Sequence, residues 1–179
     1  MITEMRVELK QVTVDEKEIL RNPLEKYNYE FSRWDKRDVN KPGLYGYKYL
    51  DNYWTEDKRW AYFILADDKS AGFAMVIDLP EVADRESDFQ MAEFFVLYKY
   101  RRSGVGRQAF LKILDMHKGR WQLKRHPANT VSVLLRDRVI NEYTNGRYEL
   151  IRSYPGAVYD DGTPGDVFFF ESWPAAGEI

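Results

Sequence analysis

Residues 88–109 read DFQMAEFFVLYKYRRSGVGRQA, and this stretch decides the fold. An apolar strand carrying a carboxylate, Glu93, in its middle runs into Arg101-Arg102-Ser103-Gly104-Val105-Gly106, after which an amphipathic helix opens. The first N–H groups of a helix lack intrahelical partners, and the macrodipole adds partial positive charge there. Strand, turn and helix start together therefore make a seat for phosphate. Glycines at 104 and 106 let the backbone approach a ligand with no Cβ in the way. The spacing excludes a P-loop, which needs four residues between its glycines and then Gly-Lys-Ser/Thr. The third glycine of a dinucleotide fingerprint is also missing.

Working outward, residues 5–12 alternate as a first strand, and 14–34 read as helix, with Pro23 starting a second helix or kinking the first. Residues 35–59 are charged and rich in Gly and Tyr, which predicts a loop with at most short structure. Trp60–Ala66 and Ala71–Ile77 flank Asp67-Asp68-Lys69-Ser70 as a hairpin, and an acidic loop over 79–87 leads to the 88–97 strand. A helix follows from Gly104 to His117. Its apolar face carries Val105, Ala109, Ile113 and Met116, joined by Phe110 and Leu114, and Gly119 stops it. Trp121–Lys124 is a short strand. Pro127-Ala128-Asn129-Thr130 then starts a helix to about Tyr143, capped by Asn129 or Thr130, and strands follow at 147–153 and 167–172.

At 179 residues the chain suits a single domain over 1–179 with a real core. Its 27 basic and 29 acidic residues balance, which gives no basis for bulk nucleic-acid or anionic-membrane binding. Without cysteine there is neither a disulfide framework nor thiolate chemistry in this chain. The opening MITEMRVELKQV lacks a basic-then-apolar signal pattern and no apolar run reaches membrane-spanning length, so a cytoplasmic protein is expected. His117 and His126 form no metal-like cluster, and no metal site is expected.

The sequence Arg-x-x-Gly-x-Gly after Phe95-Val96-Leu97-x-x-Tyr100 resembles the acetyl-CoA pyrophosphate loop of the GNAT N-acetyltransferases. The element order agrees over nearly the whole chain. Trp121, Pro127, Asn129, Val139, Ile140, Tyr143 and Thr144, with the Tyr-rich stretch 45–54, are similar to one branch of that superfamily. The resemblance implies an α/β (α+β) fold: a mixed, mostly antiparallel twisted sheet of six to seven strands, splayed at its central parallel pair and flanked by about four helices. It also implies an N-acetyltransferase that uses acetyl-CoA as cosubstrate and an amine as acceptor. By position, the backbone of Phe94, Phe95 and Val96 would hold the pantetheine arm. Amides from Arg102, Ser103, Gly104, Val105, Gly106 and Arg107 would hold the pyrophosphate, with Arg101, Arg102 and Arg107 adding charge.

Glu93 is the candidate general base. Strict alternation puts it on the face of Phe89, Met91, Phe95 and Leu97, where a carboxylate must find a partner, rise in pKa or meet a water-filled cleft. A buried ion pair or a bulge that turns it outward would explain it equally. Asn129 has two readings, a helix cap or, by resemblance, a ligand of the pantetheine arm. The tyrosine that many GNAT enzymes carry seven residues after this asparagine, aimed at the CoA sulfur, is replaced here by Arg136, which cannot donate a proton but whose charge can stabilise a thiolate. For the acceptor, Tyr27, Glu30, Tyr45, Tyr47, Tyr49 and Trp54 suggest an aromatic, partly acidic pocket for an ammonium. The same loop would serve equally as a homodimer contact. A non-catalytic acyl-CoA-binding or partner-binding domain on the same fold stays open as the alternative function.

Overall fold

The computed structural model describes residues 4–173. These form β1 (Val7–Gln11), α1 (Lys17–Asp35), α2 (Asn52–Thr55), β2 (Arg59–Ala66), β3 (Lys69–Ile77), β4 (Phe89–Val96), α3 (Val105–Met116), β5 (Arg120–Arg125), α4 (Thr130–Thr144), β6 (Tyr148–Ile151) and β7 (Asp166–Glu171). The strands make one open, mostly antiparallel sheet in the order β1-β2-β3-β4-β5-β7-β6. Within it β4 and β5 run parallel, paired through Phe89↔Trp121 and Gln90↔Gln122. The chain divides into two compact units, Met1–Ile77 with Ala92–Val105, and Asp78–Met91 with Gly106–Ile179.

In the first unit the β2–β3 hairpin turns on Asp67 and Asp68, both at positive φ (47° and 64°). Such a two-residue turn matches the twist of its strands, so β3 begins at Lys69, two residues earlier than the alternation of apolar residues suggests. Helix α1 is reached through a Thr13–Glu16 capping box, in which the Thr13 N–H donates to Glu16 Oε2 at 3.1 Å. It continues unbroken through Pro23, so the expected division at that residue does not occur. Proline removes only the bond to the carbonyl four residues back, that of Ile19, and Ile19 is exposed where water can take its place. Leu20 and Leu24 from α1 pack with Leu50, Tyr53, Phe63, Phe73, Met75 and Phe95.

Gly72 is glycine because β4 leaves no room for a side chain. A Cβ there would lie 2.0 Å from the Phe95 carbonyl oxygen, a backbone atom that cannot swing aside. Gly72→Ala should cost about 3 kcal/mol, the upper end for overpacking. For a chain of this size that lowers Tm by roughly 6–12 °C. An unchanged thermal melt would mean that β4 does not press on β3 at this point.

In the second unit, Trp121 lies parallel to Phe170 (6.2 Å between centroids) and its indole N–H donates to the His117 carbonyl at 3.0 Å. Buried Gln122 receives the Val82 N–H (2.9 Å) and donates to the Arg85 carbonyl (3.0 Å), which fastens the acidic 79–87 loop to β5. Arg125, 1 % exposed, is compensated by Asp166 and Asp137 and lies over the Phe168 ring. On α3 the expected apolar face is buried at Val105, Ala109, Phe110, Ile113 and Leu114. Met116 is the exception: it is the last residue of the helix and stands exposed.

Burial depresses the pKa of His117 to about 4. An unfolded histidine titrates near 6.5, so between those values the unfolded chain binds a proton that the folded chain refuses. Stability should therefore be complete above about pH 6.5 and fall as the pH drops towards 4. His117→Gln should flatten that slope in denaturant titrations across pH 4–7. An unchanged slope would assign the acid sensitivity to other groups.

Candidate functional site

The Tyr-rich stretch after α1 is fastened to that helix by two side chains one turn apart. Glu25 accepts the N–H groups of Tyr45 (2.9 Å) and Gly46 (2.6 Å), and buried Asn28 donates to the Gly46 carbonyl at 3.0 Å. This presents Tyr47, whose hydroxyl donates to Glu93 Oε1 at 3.3 Å. Glu93 is half-buried on β4 and shares its surroundings with Tyr53. Burial first, and then the charge of Glu93, raise the pKa of both Tyr47 and Tyr53. Both phenols therefore stay protonated at any working pH and can act as donors beside the carboxylate.

Beyond β4 the chain makes a short turn at Tyr98–Tyr100 and enters the glycine loop. Arg101 is half-buried there. Its Nε donates to the Val96 carbonyl (2.7 Å), its two Nη groups pair with the Glu30 carboxylate (2.7 and 2.6 Å), and its guanidinium lies 4.1 Å from the centre of the Tyr98 ring. The Glu30 hydrogen bonds are the leading cause that raises its pKa. Arg102, Ser103 and Gly104 are exposed, with Arg102 at φ 60° and Gly104 at φ 86°. Space beside Gly104 is open, since a Cβ there would meet nothing within 4 Å. Ser103 Oγ donates to the Tyr100 carbonyl (2.6 Å), and buried Val105 anchors the first residue of α3. Arg107 is paired with Glu142. Of the three arginines, only Arg102 has no ion-pair partner among the described residues.

In the second unit Asn129 caps α4, its side-chain oxygen accepting the Ser132 N–H at 3.2 Å. The Ala128 N–H donates to His126 Nδ1 (3.2 Å), whose Nε2 stands 3.0 Å from Asp161. Arg136 turns back onto β5 and donates to the Lys124 carbonyl. Tyr143 accepts from Lys118 Nζ (2.6 Å) and donates to Asp115 (2.9 Å), a surface arrangement with no free phenol to offer as an acid.

The residues expected to line an acceptor pocket part company here. Tyr47 meets Glu93 through its hydroxyl. Tyr27 packs its ring against Phe73 and Phe95 at 5.9 and 5.8 Å. The Tyr45 hydroxyl bonds Ser32, the Trp54 indole donates to the Val12 carbonyl at 3.1 Å, and Glu30 is neutralised by Arg101. Tyr53, buried and under the influence of the Glu93 charge, is not singled out by the sequence. It lies in the same aromatic stretch, but nothing in the spacing separates it from its neighbours. Among the described residues no group of three or more His, Asp or Glu is placed to hold a metal, and no helix is long and apolar enough to cross a membrane.

A carboxylate-bearing β4 followed by an exposed glycine loop and a helix agrees with a family comparison. The sequence profile of the Acetyltransferase (GNAT) family matches residues 26–136. The chain is a GNAT acetyltransferase family member. No match is found among curated proteins. Solved structures similar to this GNAT chain include an acetyltransferase from Thermus thermophilus, with TM-score 0.63 and 10 % identity over 94 % of this chain and 98 % of that one. Another is the ribosomal-protein-S18-alanine N-acetyltransferase of Escherichia coli, with TM-score 0.57 and 12 % identity over 97 % and 99 %. A third is an aminoglycoside acetyltransferase in complex with coenzyme A, with TM-score 0.60 and 12 % identity over 90 % and 94 %. At these identities the likeness is one of fold.

Proposed function

We propose that this GNAT chain transfers an acetyl group from acetyl-CoA to a primary amine by direct attack in a ternary complex. The observation that carries the reading is Glu93, half-buried on the strand that leads into the exposed Arg102–Gly104 loop, with the protonated Tyr47 hydroxyl donating to it. Acetyl-CoA supplies the activated thioester. Glu93 takes a proton from the acceptor ammonium, the freed lone pair attacks the carbonyl carbon, and the C–N bond forms as the C–S bond breaks, while the second N–H proton passes from the new amide nitrogen to solvent or the departing thiolate. A backbone N–H of Phe94, Phe95 or Val96 polarises the carbonyl oxygen. Backbone amides from Arg102 to Arg107 receive the pyrophosphate. Tyr47 and Tyr53 favour a cationic acceptor through ring and carboxylate together.

The thiolate departs without a protein acid in this account, since Arg136 holds the Lys124 carbonyl and Tyr143 is tied to Lys118 and Asp115. That same feature favours the second reading, an acyl-CoA-binding domain that does no chemistry. A thiol-release assay with acetyl-CoA separates the two. The acceptor panel should hold aminoglycosides and peptides with N-terminal alanine or serine, the acceptors named for structurally similar proteins, and lysine peptides besides. Thiol release that depends on one amine class supports transfer. Acetyl-CoA binding without release from any of them supports the binding domain.

A further inference from the structure

We propose that Glu30 is a positioning residue for the glycine loop, acting through Arg101. The inference rests on the acetyl-CoA reading above and adds a role that no family or fold comparison assigns. Arg101 is the first residue of the Arg-x-x-Gly-x-Gly stretch and is the cation that charge alone would send to a phosphate. The geometry points elsewhere. All three of its donor groups are engaged inside the first unit: Nε on the Val96 carbonyl and both Nη on the Glu30 carboxylate. The two side chains are only 16 % and 20 % exposed, and aromatic rings of Tyr98 and Phe95 bracket the guanidinium at 4.1 and 5.3 Å. A planar fork held on two oxygens, a carbonyl and two rings has one available orientation.

The effect is mechanical. Arg101 Nε takes the carbonyl of Val96, the last residue of β4, while its Nη groups take a carboxylate on α1. The loop is thereby clamped at the point where it leaves the strand. Arg102 (φ 60°) and Gly104 (φ 86°) then hold the left-handed backbone that carries the loop into α3. A loop ordered before binding loses less freedom when a phosphate arrives, so affinity depends on Glu30 without any contact between Glu30 and ligand. The same helix holds the loop that brings Tyr47 to Glu93, through Glu25 and Asn28. Helix α1 therefore fastens both the strand carboxylate's partner and the loop entrance.

The test is calorimetric titration of acetyl-CoA into wild type, Glu30→Gln, Arg101→Gln, the double variant and Arg102→Gln, at several KCl concentrations. Glu30→Gln and Arg101→Gln should each weaken binding about tenfold. The double variant should bind no worse than either single one, because each breaks the same pair. Salt dependence should be unchanged in these three and reduced in Arg102→Gln, whose charge is the one near the phosphates. Hydrogen exchange of residues 97–106 in the ligand-free protein should be faster in Glu30→Gln. This readout serves even where wild type binds no acetyl-CoA, an outcome that would count against the acetyl-CoA reading and not against the clamp. Should a glutamine variant fail to fold, Arg101→Lys keeps the charge but loses the fork and should weaken binding similarly. Unchanged exchange and affinity in Glu30→Gln would overturn the proposal. Additive losses, or a reduced salt slope in Arg101→Gln, would overturn it too by putting Arg101 on the ligand.

Discussion

Glu93→Ala should abolish most turnover at neutral pH and leave acetyl-CoA binding intact. A positioned general base contributes about a hundredfold to ten-thousandfold, and the variant should lose an amount in that range. Two features tie this loss to proton transfer. The Tyr47 hydroxyl fixes one carboxylate oxygen at 3.3 Å, so the group is oriented before substrate arrives. Burial also keeps Tyr47 and Tyr53 protonated, so neither phenol can replace the missing base. The defect should shrink as pH rises, because an acceptor amine with a lysine-like pKa near 10.4 then supplies its own free base. Steady-state rates from pH 6 to 10 with calorimetry on the same variant check both halves. A uniform loss across that range, or unchanged rates, would remove Glu93 from the proton path.

Gly104→Glu is expected to raise the Kd for acetyl-CoA by about a hundredfold or more, since juxtaposed like charges cost several kcal/mol. The site makes this a sharp test because the fold should tolerate the change. A Cβ at Gly104 meets nothing within 4 Å, and a carboxylate at the start of a helix is electrostatically favourable. The φ of 86° adds a modest strain to any side chain. Gly104→Asn, a residue that accepts left-handed backbone, carries that strain without the charge and should bind within about tenfold of wild type. Loss in Glu but not Asn locates the phosphate at the loop. Equal binding in all three proteins would show that the loop is ordinary punctuation between strand and helix.

The alternation and turn chemistry of this sequence carry most of the fold, and each departure has a local cause. The hairpin is legible because apolar runs flank a polar tetrad, but the turn itself tightens onto Asp67 and Asp68, whose left-handed backbone no alternation pattern reveals. Pro23 reads as the start of a second helix or a kink, and α1 instead runs on through it, with Ile19, the residue whose carbonyl loses its donor, exposed. Met116 falls on the apolar face of α3 by spacing and is exposed because the helix ends there.

At the site, residue type predicts chemistry but not partners. Glu93 stands out as the lone carboxylate in an apolar strand, whereas its neighbour Tyr53 is one tyrosine among many. Arg101 and Glu30 each look functional alone, yet they lie 71 positions apart and only the fold shows that they satisfy one another. Asn129 fits a cap from sequence and is one.

The measurement that tests the account most directly is calorimetric binding of acetyl-CoA to the wild-type chain, with CoA and ATP titrated alongside. The account predicts acetyl-CoA binding with a Kd on the order of micromolar, CoA binding close to it, and no heat from ATP. Absence of acetyl-CoA and CoA binding from protein shown to be folded would contradict it, and with it both the transferase and the acyl-CoA-binding readings.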